Sequence, residues 1–391
     1  MRHAKESKQH EPHAHASSRR TALHLAAAFV VALLAFYLLA FANLFPIRYE
    51  RAIALVPAPP QWPAVLDLSD YNARMLALAH YVAPPARLAT TTATSTAAST
   101  TPPVLPFATA TTSVSVPGHL WPKAAVYPEG GAILPFHRIV AYFGNFYSKQ
   151  MGVLGEYPPD EVLAKLASTT ALWAAADPST PTIPAIQYIA VVAQGQAGKD
   201  GMWRARMPDV EIEKALAMAN SLHGLLILDV QVGKSTLEAE LPELEKYLAL
   251  PNVELAIDPE FSMKYGNAPG TVIGTFDAKD IDYAASFLAG IVRAHRLEPK
   301  VLVVHRFTYD MVTDYKDITP LPEVEVVMDM DGWGDPAKKF GTYNRVIAPQ
   351  PVEFTGMKLF YHADLKPPST RMLTPEEVLG LTPSPIYIQY Q

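Results

Sequence analysis

The chain has 391 residues, 49% of them hydrophobic and only 18% charged, with a net charge of −6 at pH 7. That length accommodates one large barrel with appendages, and an acidic balance with no basic stripe beyond the N-terminal tail argues against a nucleic-acid partner. Lacking cysteine, the chain has no disulfide, no thiolate metal site and no lipid-modified cysteine, so any membrane attachment has to be made by polypeptide.

Residues 1–21 form a polar tail with Arg2, Lys5, Lys8, Arg19 and Arg20, interspersed with His3, His10, His13 and His15. A histidine tract can bind metal, but a solvated cytoplasmic tail is the simpler reading. Ala22–Phe45 follows, about 24 residues without Asp, Glu, Lys or Arg. At about 1.5 Å per residue it spans a hydrocarbon core of roughly 30 Å. The arginines before it place the N-terminus in the cytoplasm and the remainder outside, as a single-pass protein of the cell membrane. Ala40-Phe41-Ala42 has the small-x-small form of a cleavage site, yet the apolar core exceeds the roughly 7–15 residues of a signal segment, which favours a retained anchor.

Residues 46–119 read as an extracytoplasmic tether with one short helix at Leu66–Val82. From 84 to 119 the chain turns to Pro, Ala, Thr and Ser, which bury too little apolar surface to offset ordering entropy. Threonine density there suits O-glycosylation.

Residues 120–391 carry eight alternations of strand and helix. The strands are expected at 137–145, 185–192, 224–231, 253–258, 300–307, 324–331, 352–361 and 385–391. Helical patterns occupy 158–176, 208–224, 236–250, 277–296 and 374–381, opened by Pro, Asp or Thr. Eight such units make an α/β fold, a TIM-like (β/α)8 barrel. The apolar run at 271–278 fits best within an enlarged loop after the fourth strand. The last strand has no helix of its own after it, so Leu66–Val82 or 120–136 is expected to pack there.

In closed parallel barrels chemistry gathers at the C-terminal strand ends. The fourth strand runs into Asp258-Pro259-Glu260, where proline ends the ladder. By the two-residue period both carboxylates share a face. Structurally, Asp258 would cap a loop and Glu260 would pair with Lys358. Functionally, one carboxylate would raise the other's pKa and leave it a proton donor. The other strand ends offer Asp229 and Gln231, His305 and Arg306, Asp329 and Asp331, and Lys358 and Tyr361. Trp333, between two glycines, is either a stacking platform for a sugar or a rim plug. Tyr142 and Asn145 from the first strand and Gln389 from the last complete a set of aromatic and amide groups suited to a polyhydroxylated ligand.

No phosphate loop, dinucleotide fingerprint, H-E-x-x-H helix or nucleophile elbow occurs. A divalent-metal hydrolase using Asp229, Asp258, Glu260, His305 and Asp329 is disfavoured by the want of a compact ligand motif, so no cofactor is expected.

The Asp258-Pro259-Glu260 strand end resembles the Asp-x-Glu of strand four in chitinase-like and muramidase barrels of the glycoside hydrolase superfamily. The resemblance implies a proton-donating Glu260 and an Asp258 that orients an N-acetyl group or polarises the sugar. The longer Asp-x-x-Asp-x-Asp-x-Glu form is not met, because Ala256 stands two before Asp258. The barrel segment also resembles membrane-tethered bacterial barrel proteins. The expectation is a membrane-anchored, extracytoplasmic glycoside hydrolase acting on a polysaccharide or cell-wall glycan, with Asp258 or a strand-six aspartate as nucleophile or stabiliser. The rival is a non-catalytic glycan-binding or envelope-scaffolding barrel.

Overall fold

The computed structural model describes residues 65–81 and 126–391. The basic tail, the apolar segment Ala22–Phe45 and the threonine-rich part of the tether lie outside them. Among the described residues no helix is long and apolar enough to cross a membrane.

Eight parallel strands close into a barrel: β1 (Arg138–Gly144), β2 (Thr182–Ala193), β3 (Leu225–Val230), β4 (Val253–Ile257), β5 (Lys300–Arg306), β6 (Val324–Met330), β7 (Phe354–Leu359) and β8 (Tyr387–Tyr390). Each pairs with the next in sequence, and β8 pairs with β1, Ile139 opposite Tyr387. All eight strands expected from the sequence are present. Phe276–Asp277 pairs with Val312–Thr313 outside the barrel, so the run at 271–278 belongs to the loop after β4, as its position implied.

The helices in chain order are α1 (Leu68–Leu78), α2 (Pro159–Ala176), α3 (Asp209–Ser221), α4 (Ala278–His295), α5 (Pro336–Thr342) and α6 (Pro375–Leu379). Their starts follow local chemistry. Proline opens α2, a reciprocal Asp277–Asp280 capping box opens α4, and Thr374 with Glu377 does the same for α6. Between β3 and β4 the expected helix is broken into short helical turns over Leu237–Leu248, where Pro242 interrupts the hydrogen-bond ladder.

Strand parity divides the core in two. Ile139, Ala141, Ala185, Ile227, Ala256, Val303, Val327 and Tyr387 point inward and form one cluster. Val140, Ile186, Leu228, Leu255, Val304, Met328 and Ile388 point outward and pack under the helices. Burial on both faces is why the strands read as unbroken apolar runs.

α1 does not cover the outer face of β8, as had been expected of Leu66–Val82. Its buried stripe, Tyr71, Met75 and Leu78, joins Ile133 and Leu134 in the inner cluster and closes the N-terminal end of the barrel. Three side chains on one narrow stripe fit a hole better than a sheet face. The outer side of β8 is covered instead by α2, whose Trp173 donates to the Tyr390 hydroxyl at 3.0 Å. Beside this plug three buried glutamates accept backbone N–H groups: Glu254 from Val301, Glu353 from Val326, and Glu325 from Ile133 and Leu134.

Candidate functional site

At the opposite end lies a cavity of about 680 Å³, its wall including Asp258, Glu260, Asp331, Lys358, Gln231 and Trp333. β4 stops at Ile257, and Asp258 accepts the Glu260 backbone N–H at 3.0 Å, capping a 3-10 turn over Pro259–Phe261. The two carboxylates therefore meet in the cavity through a turn rather than through strand alternation. The lack of an N–H on Pro259 is what ends the ladder and starts that turn. Lys358 pairs with Asp331 at 2.9 Å, not with Glu260. Glu260 has no hydrogen bond or ion pair from its side chain to another described residue and faces the open cavity.

Below the cavity floor, inward-facing polar groups from β2, β3 and the end of β6 converge on His305 of β5. Its Nε2 lies 2.8 Å from Asp229 Oδ2, and its Nδ1 lies 3.1 Å from Asp331 Oδ2, at an angle short of ideal, and 3.5 Å from Asp329 Oδ2. Gln187 also donates to Asp229 Oδ2, at 2.7 Å, and accepts from the Tyr387 hydroxyl. Gln231 donates to Asp258 Oδ2 at 3.1 Å. Asp329 is fully buried with both oxygens lacking a hydrogen-bond partner. It faces Gly356, where a β-carbon would stand 2.5 Å from Asp329 Oδ1.

The environments drive these groups apart. Burial, opposed by His305 and aided by Asp229, Glu260 and Asp331, pushes Asp258 up to about 8. Burial likewise takes Asp329 to about 7. Glu260 is raised by burial and then by the Asp331 charge. Asp331 goes the other way: burial opposes its charge, but Lys358 and His305 overcome that and hold it below the usual carboxylate range. His305 is held well above its ordinary value, since Asp229 and Asp331 outweigh its burial. The site thus sets Asp331, held below its ordinary range beside Lys358 and His305, against Asp258, Glu260 and Asp329, which burial raises above theirs.

The barrel brings Asp229, Gln231, Asp258, Glu260, His305, Asp329, Asp331, Trp333 and Lys358 to one end. Asp229, His305 and Asp329 lie beneath the cavity wall and the rest on it. Gln389 is also inward but deep, donating to the Tyr387 hydroxyl at 3.4 Å. Tyr142, Arg306 and Tyr361 are not at the cavity. Parity turns Tyr142 and Arg306 outward: Tyr142 bonds Thr169 of α2 and Tyr361 at 2.8 Å each, and Arg306 ties down the carbonyls of Thr308, Tyr309 and Val312. Asn145 is spent on Tyr188 and the Ile189 carbonyl.

Trp333 is 48% exposed on the cavity rim, too open to pack as a plug. Lys338 Nζ sits 4.2 Å and Lys366 Nζ 5.1 Å from its ring centroid. Sequence reasoning missed Gln187 and Lys338. Gln187 had a signal, as the one polar residue on the inner face of an apolar strand, whereas Lys338 on a short helix had none. Among the described residues no group of three or more His, Asp or Glu is disposed to hold a metal ion.

No protein-family model matches the chain and no curated protein sequence does. The chain is an α/β protein with a closed eight-stranded parallel barrel.

Proposed function

We propose that this is a membrane-anchored, extracytoplasmic glycoside hydrolase in which Glu260 is the general acid and Asp331 the ionised carboxylate that stabilises positive charge on the sugar. The reading is supported chiefly by the opposed settings of these two groups in one cavity: Glu260 is raised by burial and by Asp331, while Asp331 is held ionised by Lys358 and His305. Two carboxyl groups pushed apart in this way divide the roles of acid and base. Glu260 gives its proton to the glycosidic oxygen as the bond to the anomeric carbon breaks. Asp331 faces the oxocarbenium-like centre, and water then adds to that carbon and returns a proton to Glu260. Asp258, capping the turn that carries Glu260, positions the acid. Trp333 offers a face to a sugar ring. Anchoring through Ala22–Phe45 would put the cavity outside the cytoplasm, beside cell-envelope polysaccharide.

One observation favours a second reading, a glycan-binding barrel without turnover. Both oxygens of Asp331 are engaged, by Lys358 and His305, which suits an acceptor better than an attacking group. Incubating the full chain with a panel of cell-wall and storage glycans separates the two. New reducing ends support hydrolysis, and retention without product supports binding.

A further inference from the structure

Trp333 is flanked by two lysines. Lys338, on α5, lines the cavity with its ammonium over the indole, and Lys366, after the turn at Ala363–Leu365, approaches the same ring. A β-carbon at Gly334, whose φ is +148°, would stand 2.5 Å from Lys338 Cδ. Glycine there leaves the space along which the lysine stem lies.

The carboxylates beside that ring have other partners among the described residues. Asp331 is held by Lys358 and His305, and Asp364 pairs with Lys339 at 3.0 Å and accepts the Gly334 N–H. Asp335 accepts the backbone N–H of Lys338 at 3.0 Å. Across the cavity, burial raises both Asp258 and Glu260 above the usual carboxylate range. Among the described residues neither Lys338 nor Lys366 has a carboxylate partner. Two ammonium groups therefore lie against the rim indole, with no ion pair of their own among the described residues. At an exposed site that is a weak interaction, readily exchanged for a better one.

Resting on the glycan reading above, we propose that the glycan taken at this mouth is acidic, its carboxylate or phosphate held by Lys338 and Lys366 while a ring of the same chain stacks on Trp333. A neutral sugar would push the ammonium groups off the indole and give nothing in return. An acidic sugar takes the ring face and offers the displaced cations an anion. Ammonium groups are point charges and do not themselves distinguish carboxylate from phosphate.

The full chain is to be applied to immobilised glycans in three sets: neutral, uronate-bearing and phosphate-bearing. The Lys338→Met/Lys366→Met double variant, which keeps both stems, is compared in parallel. Retention of an acidic set over the neutral one is expected, and which acidic set is held identifies the anion. The double variant should lose roughly tenfold in affinity for that set, the scale of two partly exposed ion pairs. Wild-type affinity should also fall with added salt. Equal retention of neutral glycans, or an unchanged affinity in the double variant, overturns the acidic assignment while leaving glycan recognition standing. Retention of no glycan at all overturns both.

Discussion

At the scale of single residues the site is a contest between burial and pairing, and His305 decides it. A fully buried imidazole would ordinarily be neutral, yet carboxylates face both of its nitrogens, Asp229 on one side and Asp331 and Asp329 on the other. Because its folded-state pKa is raised, its charge stabilises the fold fully below the unfolded value of about 6.5, and that contribution is lost as pH climbs through the higher folded value. Asp229→Asn keeps the shape and removes the charge. We expect His305 to titrate at lower pH, read by ¹⁵N shifts of its ring, and stability to drop by about 3 kcal/mol in denaturant titrations, as when a buried pair is broken. A ring that stays cationic over the same pH range as in the wild type would contradict this.

At the scale of elements, much of the fold was legible. Apolar runs ending in polar residues marked all eight strands, because two-sided burial writes itself as unbroken Val, Ile and Leu. Pro259 marked the end of β4. Side-chain direction was harder to read, since both strand faces are apolar. Tyr142 and Arg306 sit at strand ends that suggest the cavity, yet their parity points them under the helices. The docking of α1 across the barrel end could not be read from its own stripe, which is apolar whatever it covers. That end carries its own titration. Burial raises Glu353 to about 8, so its contribution is intact below its unfolded value and is lost as pH rises through about 8. Glu353→Gln retains an oxygen for the Val326 N–H. The variant should match wild type near pH 4.5 and exceed it at pH 9 by about 1–3 kcal/mol in urea unfolding. An identical difference at both pH values would refute the burial argument.

At the scale of the whole molecule, the barrel is closed at its N-terminal end by α1 and open at the other, where the cavity sits. The proposed anchor precedes α1 in the chain, with its basic residues on the N-terminal side. A reporter fused after Gln391 should therefore be active only when it is one that works outside the cytoplasm. Activity of a cytoplasm-specific reporter at that position would reverse the topology and remove envelope glycans as substrates.

In the proposed reaction Glu260 delivers a proton to a glycan. Glu260→Gln preserves size and hydrogen bonding while removing the titratable proton, so kcat on a glycan cleaved by the wild-type chain should fall roughly 10²–10⁴-fold, the usual worth of general acid catalysis. Affinity for the same glycan should change little. Turnover that survives Glu260→Gln at the wild-type rate would mean that Glu260 is not the acid and leave Asp258 and Asp329 as the carboxyls able to donate.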